Sequence, residues 1–139
     1  MDAEQYSLRP VGRVESPLTD RAGAPRQGDE GAPDAWLVFD PEFDAATRSL
    51  QPGDWIVVLT WLHRADRTVL DTYPRDDHTR PLTGVFSTRS PDRPNPIGLH
   101  DVEIVAIEGP RIRVRDLEAI DGTPIVDVKP VLPPANERS

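Results

Sequence analysis

The chain contains no cysteine. Disulfides and thiolate-held metal sites are therefore excluded, and the composition suits a reducing compartment. Lysine is almost absent too: Lys129 is the single lysine among 16 basic residues, and the rest are arginine. No apolar run is long enough to cross a bilayer as a helix, which takes about 20 residues. The longest, Trp55 to Leu62, is interrupted by Thr60. Met1 to Gln5 is polar and acidic and carries no signal-peptide core. A soluble, cytoplasmic protein with no membrane partner is the expectation. Positive charge is in deficit, with a formal net charge of −8. That argues against a general nucleic-acid surface, because polyanion binding rests on phosphate neutralisation. No Gly-x-Gly-x-x-Gly motif follows a strand, so a Rossmann-type cofactor site is not indicated.

Proline is what the chain does have, 16 residues of it. Residues 84 to 99 read Gly-Val-Phe-Ser-Thr-Arg-Ser-Pro-Asp-Arg-Pro-Asn-Pro-Ile-Gly-Leu. Pro91, Pro94 and Pro96 each fix φ and remove a backbone donor. Ser90, Arg93 and Asn95 precede them and are pushed toward extended geometry. A helix is impossible here, and a stiff loop remains that holds Arg89 and Arg93 in place. Such a loop loses little entropy on binding. Two fixed guanidiniums suit a carboxylate, a phosphate or a stacked base. The plain alternative is a rigid turn, with Arg89 paired to Asp92. Arg80, Arg89 and Arg93 face the single acid Asp92 across residues 80–93, so a local basic patch is compatible with an acidic whole.

At 139 residues the chain fits one domain over 1–139, with tails at 1–7 and 134–139. Leu8 to Val14 reads as a first strand and Ser16 to Gly31 as a long loop. Ala35 to Phe39 reads as a second strand. Asp40 and Pro41 suit the N-cap and first position of a helix running to about Leu50. Asp54 to His63 is nearly uninterrupted apolar sequence, which predicts a strand buried on both faces. Residues 64–82 read as loop, Thr83 to Ser87 as a strand, and Ile97 to Ile107 as a longer one. Arg111-Ile112-Arg113-Val114-Arg115 alternates strictly and predicts a half-buried strand after the Glu108-Gly109-Pro110 turn. Asp121-Gly122 is a turn pair, and Pro124 to Val131 the last strand. Many short strands and little helix predict an all-β fold, either barrel or sandwich.

The proline-arginine run resembles the signature of the TsaA-like (TrmO, YaeB-like) family of β-barrel S-adenosylmethionine-dependent methyltransferases. Four further stretches fall in that family's order and spacing: Val11 to Pro17, Ala24-Pro25-Arg26-Gln27, Trp61-Leu62-His63 and Asp121 to Pro130. The similarity covers roughly residues 9 to 133. It implies a single compact β-barrel with long loops and one short helix. It also implies S-adenosylmethionine as cofactor, a homodimer, and methylation at N6 of threonylcarbamoyladenosine at tRNA position 37. The alternatives are a methyltransferase acting on a small-molecule or nucleotide amine, and a non-catalytic S-adenosylmethionine-binding dimer. The stretch Asp54-Trp55-Ile56-Val57 stands where the family usually has Ser-His-Leu-Trp.

Carried over residue by residue, the resemblance places the cofactor against Pro25, Arg26, Gln27, His63, Arg64, Arg89, Leu99 and the Asp121-Gly122-Thr123-Pro124 turn. Arg89 suits the methionine carboxylate. Asp121 and the backbone around Gly122 suit the amino group or the ribose. Each has a plainer reading: a solvated loop for Arg26 and Gln27, a rim histidine for His63, an ordinary β-turn for Asp121-Gly122. Arg93 and Asn95 are the candidates for substrate contact, and Trp61, Tyr73 and Arg93 for stacking or phosphate contact with an exposed loop base. Asp76, Asp77 and His78 lack a matching second cluster, so no metal site is expected. His100 follows Leu99, where the family has a small polar residue. No spacing singles out a general base.

Overall fold

The structure is a computed structural model that describes residues 3–21 and 31–134. Six antiparallel strands form the body. They are β1 (Gly12–Glu15), β2 (Ala35–Phe39), β3 (Trp55–Trp61), β6 (Ile97–Glu108), β7 (Arg111–Val114) and β8 (Pro124–Pro130). Two short strands, β4 (Asp71–Thr72) and β5 (Thr83–Gly84), pair with each other in a separate lobe. The six run in the order β1-β2-β7-β6-β3-β8, and β8 returns to β1 through Gly12 opposite Ile125 and Arg13 opposite Pro124. That last pairing closes the sheet into a barrel, which leaves the six strands no free edge.

Alternation decides which side chains fill the barrel. Val14, Leu37, Ile56, Val58, Val102, Ile104, Ile112, Val114 and Ile125 point inward and are almost fully buried. The arginines of β7 point outward, as their strict alternation predicts, and pair with neighbours: Arg111 with Glu15 (3.0 Å) and Arg113 with Asp34 (3.3 Å). Arg111 also lies over the Trp36 ring, 4.5 Å from its centroid.

Several local expectations are corrected. The first strand begins at Gly12 rather than Leu8. β3 is not buried on both faces: Ile56, Val58 and Thr60 face the core, while Trp55 is 53% exposed. The helix after Asp40 shrinks to a 3₁₀ turn over Pro41–Phe43 and one α turn, α1 (Asp44–Thr47), without a side-chain cap. Nothing on that segment is buried, so no packed face supports a longer helix. Thr83 to Ser87 is strand only at Thr83–Gly84 and then turns as a 3₁₀ helix over Val85–Ser87.

Candidate cofactor site on the barrel surface

The Asp121 corner is fastened to the start of the chain. Asp121 N–H donates to the Leu18 carbonyl (2.7 Å), Gly122 N–H to Val14 (2.7 Å), and Thr123 N–H to Ile120 (3.2 Å). Gly122 has φ +81°, which suits glycine. The Ser16 amide donates in turn to Asp121 Oδ1 (3.0 Å). Thr123 and Pro124 are buried, and the Thr123 hydroxyl donates to the Ile120 carbonyl (2.7 Å). The amides around Gly122 are thus committed to the fold. Asp121 and Gly122 are exposed, so what the corner offers solvent is the Asp121 carboxylate and the face of the Gly122 turn. Asp121 lines an open cleft with Ser16, Pro17, Trp36 and Arg113.

Segment 16–21 ties this corner to the other predicted residues. Arg64 Nη1 donates to the Thr19 carbonyl (3.1 Å), and Arg21 Nη1 donates back to the Arg64 carbonyl (3.1 Å). Arg21 Nη2 reaches Asp92 Oδ2 in the proline-arginine loop (3.0 Å), and the Asp66 amide occupies Asp92 Oδ1 (2.8 Å). The reading in which Arg89 merely pairs with Asp92 is not what the structure shows: the cation on Asp92 is Arg21, and Arg89 is exposed away from it. His63 is exposed beside Arg64. Partial desolvation first, then the charges of Arg64 and Arg13, hold its imidazole below the usual histidine pKa. Pro25, Arg26 and Gln27 lie outside the described residues.

Inside the proline-arginine loop the two arginines part company. Arg93 turns inward, and its Nη2 donates to the carbonyls of Val85 and Thr88. Its Nε is buried without a partner among the described residues. Asn95 Oδ1 accepts from Arg67 Nη2 (3.1 Å), and Arg67 lies over the Trp61 ring, 5.1 Å from the centroid. Tyr73 packs against His78 with ring centroids 4.1 Å apart and the planes tilted by 36°. Arg89 instead faces solvent over the outer surface of β3 and β6. There it lines a groove of about 560 Å³ with Trp55, Val57, Leu99, His100 and Glu118, among others. Leu99 points outward and is 44% exposed. The groove shares no lining residue with the Asp121 cleft.

His100 does reach that groove, but from within. It is buried, with Nε2 2.7 Å from Thr60 Oγ1 and Nδ1 2.5 Å from Glu118 Oε1. Thr60 and Glu118 were not legible as partners; the one sequence signal was Thr60 interrupting the apolar run. Among the described residues no group of three or more His, Asp or Glu side chains is placed to hold a metal ion. No helix among them is long and apolar enough to cross a membrane.

The donor set suits a small zwitterionic cofactor. Arg89 offers a guanidinium not spent on Asp92, Leu99 and Trp55 offer apolar surface, and Glu118 offers an oriented carboxylate. A six-stranded closed barrel with two surface clefts and a stiff arginine loop defines the class. Residues 13–137 match the model of the tRNA-methyltransferase O N-terminal domain, and the chain belongs to that family. A protein of Methanothermobacter thermautotrophicus named "probable S-adenosyl-L-methionine-binding protein" is 44% identical over 130 residues, covering 94% of this chain and 93% of that protein. An S-adenosyl-L-methionine-binding protein of Archaeoglobus fulgidus is 41% identical over 127 residues, covering 91% of this chain and 89% of its own length. The crystal structure of TrmO from Pseudomonas aeruginosa superposes with a TM-score of 0.73 at 28% identity, covering 98% of this chain and 60% of that one. The chain therefore spans about three-fifths of the solved TrmO chain.

Proposed function

We infer that the chain binds S-adenosylmethionine and transfers its methyl group to N6 of threonylcarbamoyladenosine at tRNA position 37. The family match over residues 13–137 carries this reading. The site chemistry agrees with it. Methyl transfer from a sulfonium needs orientation and exclusion of water more than covalent help. A stiff Arg89 loop over a groove that carries Trp55, Val57 and Leu99 among charged side chains meets the first need, with the methionine carboxylate on Arg89. His63 and Arg64 complete the cofactor-holding set, together with Pro25, Arg26 and Gln27; the Asp121 carboxylate lines the other cleft, joined to this loop through segment 16–21. Asn95, at the end of the same loop, supplies the acceptor side, while Arg93 is turned inward onto the Val85 and Thr88 carbonyls and holds the loop. S-adenosylmethionine, when bound, supplies the activated methyl group; every other role belongs to the chain. Closure of the barrel removes strand-edge pairing, so a homodimer forms through outward side chains. Leu70, Leu82 and Phe86 on the small lobe, 69%, 53% and 88% exposed, are the surface for it.

The test is to incubate the protein with methyl-labelled S-adenosylmethionine and total tRNA lacking this methyl group, then digest to nucleosides. Label on threonylcarbamoyladenosine is the expected result. Label only in a small-molecule pool selects an amine-metabolite methyltransferase, and tight binding without transfer selects a binding module. Absence of S-adenosylmethionine binding refutes all three.

A further inference from the structure

The buried Thr60–His100–Glu118 chain has no role in the reading above. Its order, hydroxyl to imidazole to carboxylate, is that of a nucleophilic triad. Thr60 is 0% exposed, however, so no substrate meets its hydroxyl. Whichever way the Thr60–His100 Nε2 bond runs, His100 Nδ1–H donates to Glu118 Oε1. The chain thus works outward. A hydroxyl and an imidazole fixed in the barrel wall orient one carboxylate, whose side chain stays 14% exposed where it lines the groove.

A sulfonium has no N–H or O–H to donate, so a protein recognises it through a fixed negative charge and an aromatic face. The groove holds both, in Glu118 and Trp55. Its other charges are differently placed. Arg115 Nε pairs with Glu103 (3.4 Å), and Asp101 and Asp116 are exposed to water. Glu118 is the groove carboxylate anchored on a buried group. The methionine part of the cofactor carries a carboxylate at one end and a sulfonium at the other, and the groove presents Arg89 for the first and Glu118 for the second.

We propose that Glu118 is the groove's reader of the sulfonium charge, with His100 and Thr60 as its positioning residues. It thereby discriminates S-adenosylmethionine from the neutral thioether S-adenosylhomocysteine left after transfer. This rests on the cofactor reading above. It assigns a physical basis for product release: once the methyl group leaves, the electron pair of the broken bond stays on sulfur, the positive charge is gone, and the attraction to Glu118 goes with it.

The experiment measures calorimetric Kd values for both nucleosides on the intact chain and on Glu118→Gln, which keeps the shape and the acceptor for His100. Both nucleosides carry the same carboxylate and ammonium, so their Kd ratio isolates the sulfonium. Glu118→Gln should weaken S-adenosylmethionine about tenfold and S-adenosylhomocysteine less than about twofold, the size of a partly solvated charge pair. Asp101→Asn should leave the ratio unchanged. Equal weakening of both nucleosides would assign Glu118 to the ammonium and overturn the proposal, as would a ratio that Glu118→Gln does not move. If Glu118→Gln does not fold by circular dichroism, His100→Asn replaces it; a smaller narrowing of the ratio is expected, and an unchanged ratio is again decisive against the proposal. Binding of neither nucleoside to the unmutated chain sinks the cofactor reading itself, a result distinct from binding of both with equal affinity.

Discussion

Gly98 shows how closely this barrel is packed around its polar chain. It faces inward on β6, opposite Thr60 on β3. A Cβ there would sit on Thr60 Oγ1 and 2.7 Å from His100 Nε2. Both atoms belong to one buried hydrogen bond, so neither side chain can retreat without leaving a polar group unpaired. Gly98→Ala should cost about 2 kcal/mol. Differential scanning calorimetry should show the melting midpoint fall by roughly 5–10 °C for a domain of this size; an unchanged midpoint would mean the wall yields. A second residue-level expectation concerns His63. Its pKa is lowered by desolvation and by Arg64 and Arg13. The folded imidazole therefore resists the proton that the unfolded one accepts, so this group costs stability as pH falls through the ordinary histidine value and costs nothing above it. Arg64→Gln removes one cation and should move the His63 titration upward, followed by NMR of the ring protons. A downward move would contradict the sign.

The proline-arginine loop, as an element, is held from outside by Arg21 and Arg67 and from inside by Arg93. Arg93 Nη2 bonds the carbonyls of Val85 and Thr88, while the Thr88 amide donates to Val85 (3.1 Å) and the Ser90 amide to Thr88 Oγ1 (3.2 Å). Arg93→Ala should speed hydrogen exchange at Thr88 and Ser90 by about tenfold or more, from loss of charge-assisted bonds to buried carbonyls. The melting midpoint should barely move, because the loop lies outside the barrel core. A large global loss would show that the clamp supports the barrel as well. The same loop marks how far the sequence could be read. Its prolines exclude helix, and the alternation of Arg111 to Arg115 gives β7 and its outward face directly. The turn at Val85–Ser87 was hidden, because Arg93 draws in carbonyls that a strand would have paired elsewhere. The helix after Asp40 was over-read for a related reason: capping and a first-position proline describe a start, but no apolar stripe follows to bury. The motif residues were legible through resemblance. Glu118 was not, since it sits in an irregular segment and meets His100 only because β6 and β7 bend it back across the barrel wall.

At the scale of the whole molecule, two interactions respond to salt in opposite directions. Each chain carries a formal net charge of −8, so two copies repel at long range, and whatever joins them must be largely apolar. Leu70, Leu82 and Phe86 are exposed on a lobe whose strands Asp71–Thr72 and Thr83–Gly84 pair only with each other. Arg111 and Arg113 of β7, and Arg115 just beyond it, are tied to Glu15, Asp34 and Glu103, which leaves that face little free charge for a phosphate backbone. If the proposed dimer and tRNA complex form, screening should strengthen the first and weaken the second, the latter through counterion release at the cations that contact phosphate. Sedimentation velocity at about 50 mM and about 300 mM salt should show the dimer tighten as screening removes the mutual repulsion of the two chains. Phe86→Asp should shift it toward monomer at both. Filter binding of tRNA across the same range should weaken with a shallow slope of only a few ions, because most arginines among the described residues are engaged by carboxylates or carbonyls. A dimer that instead dissociates as salt rises would place its contacts in ion pairs and remove the small lobe from the interface.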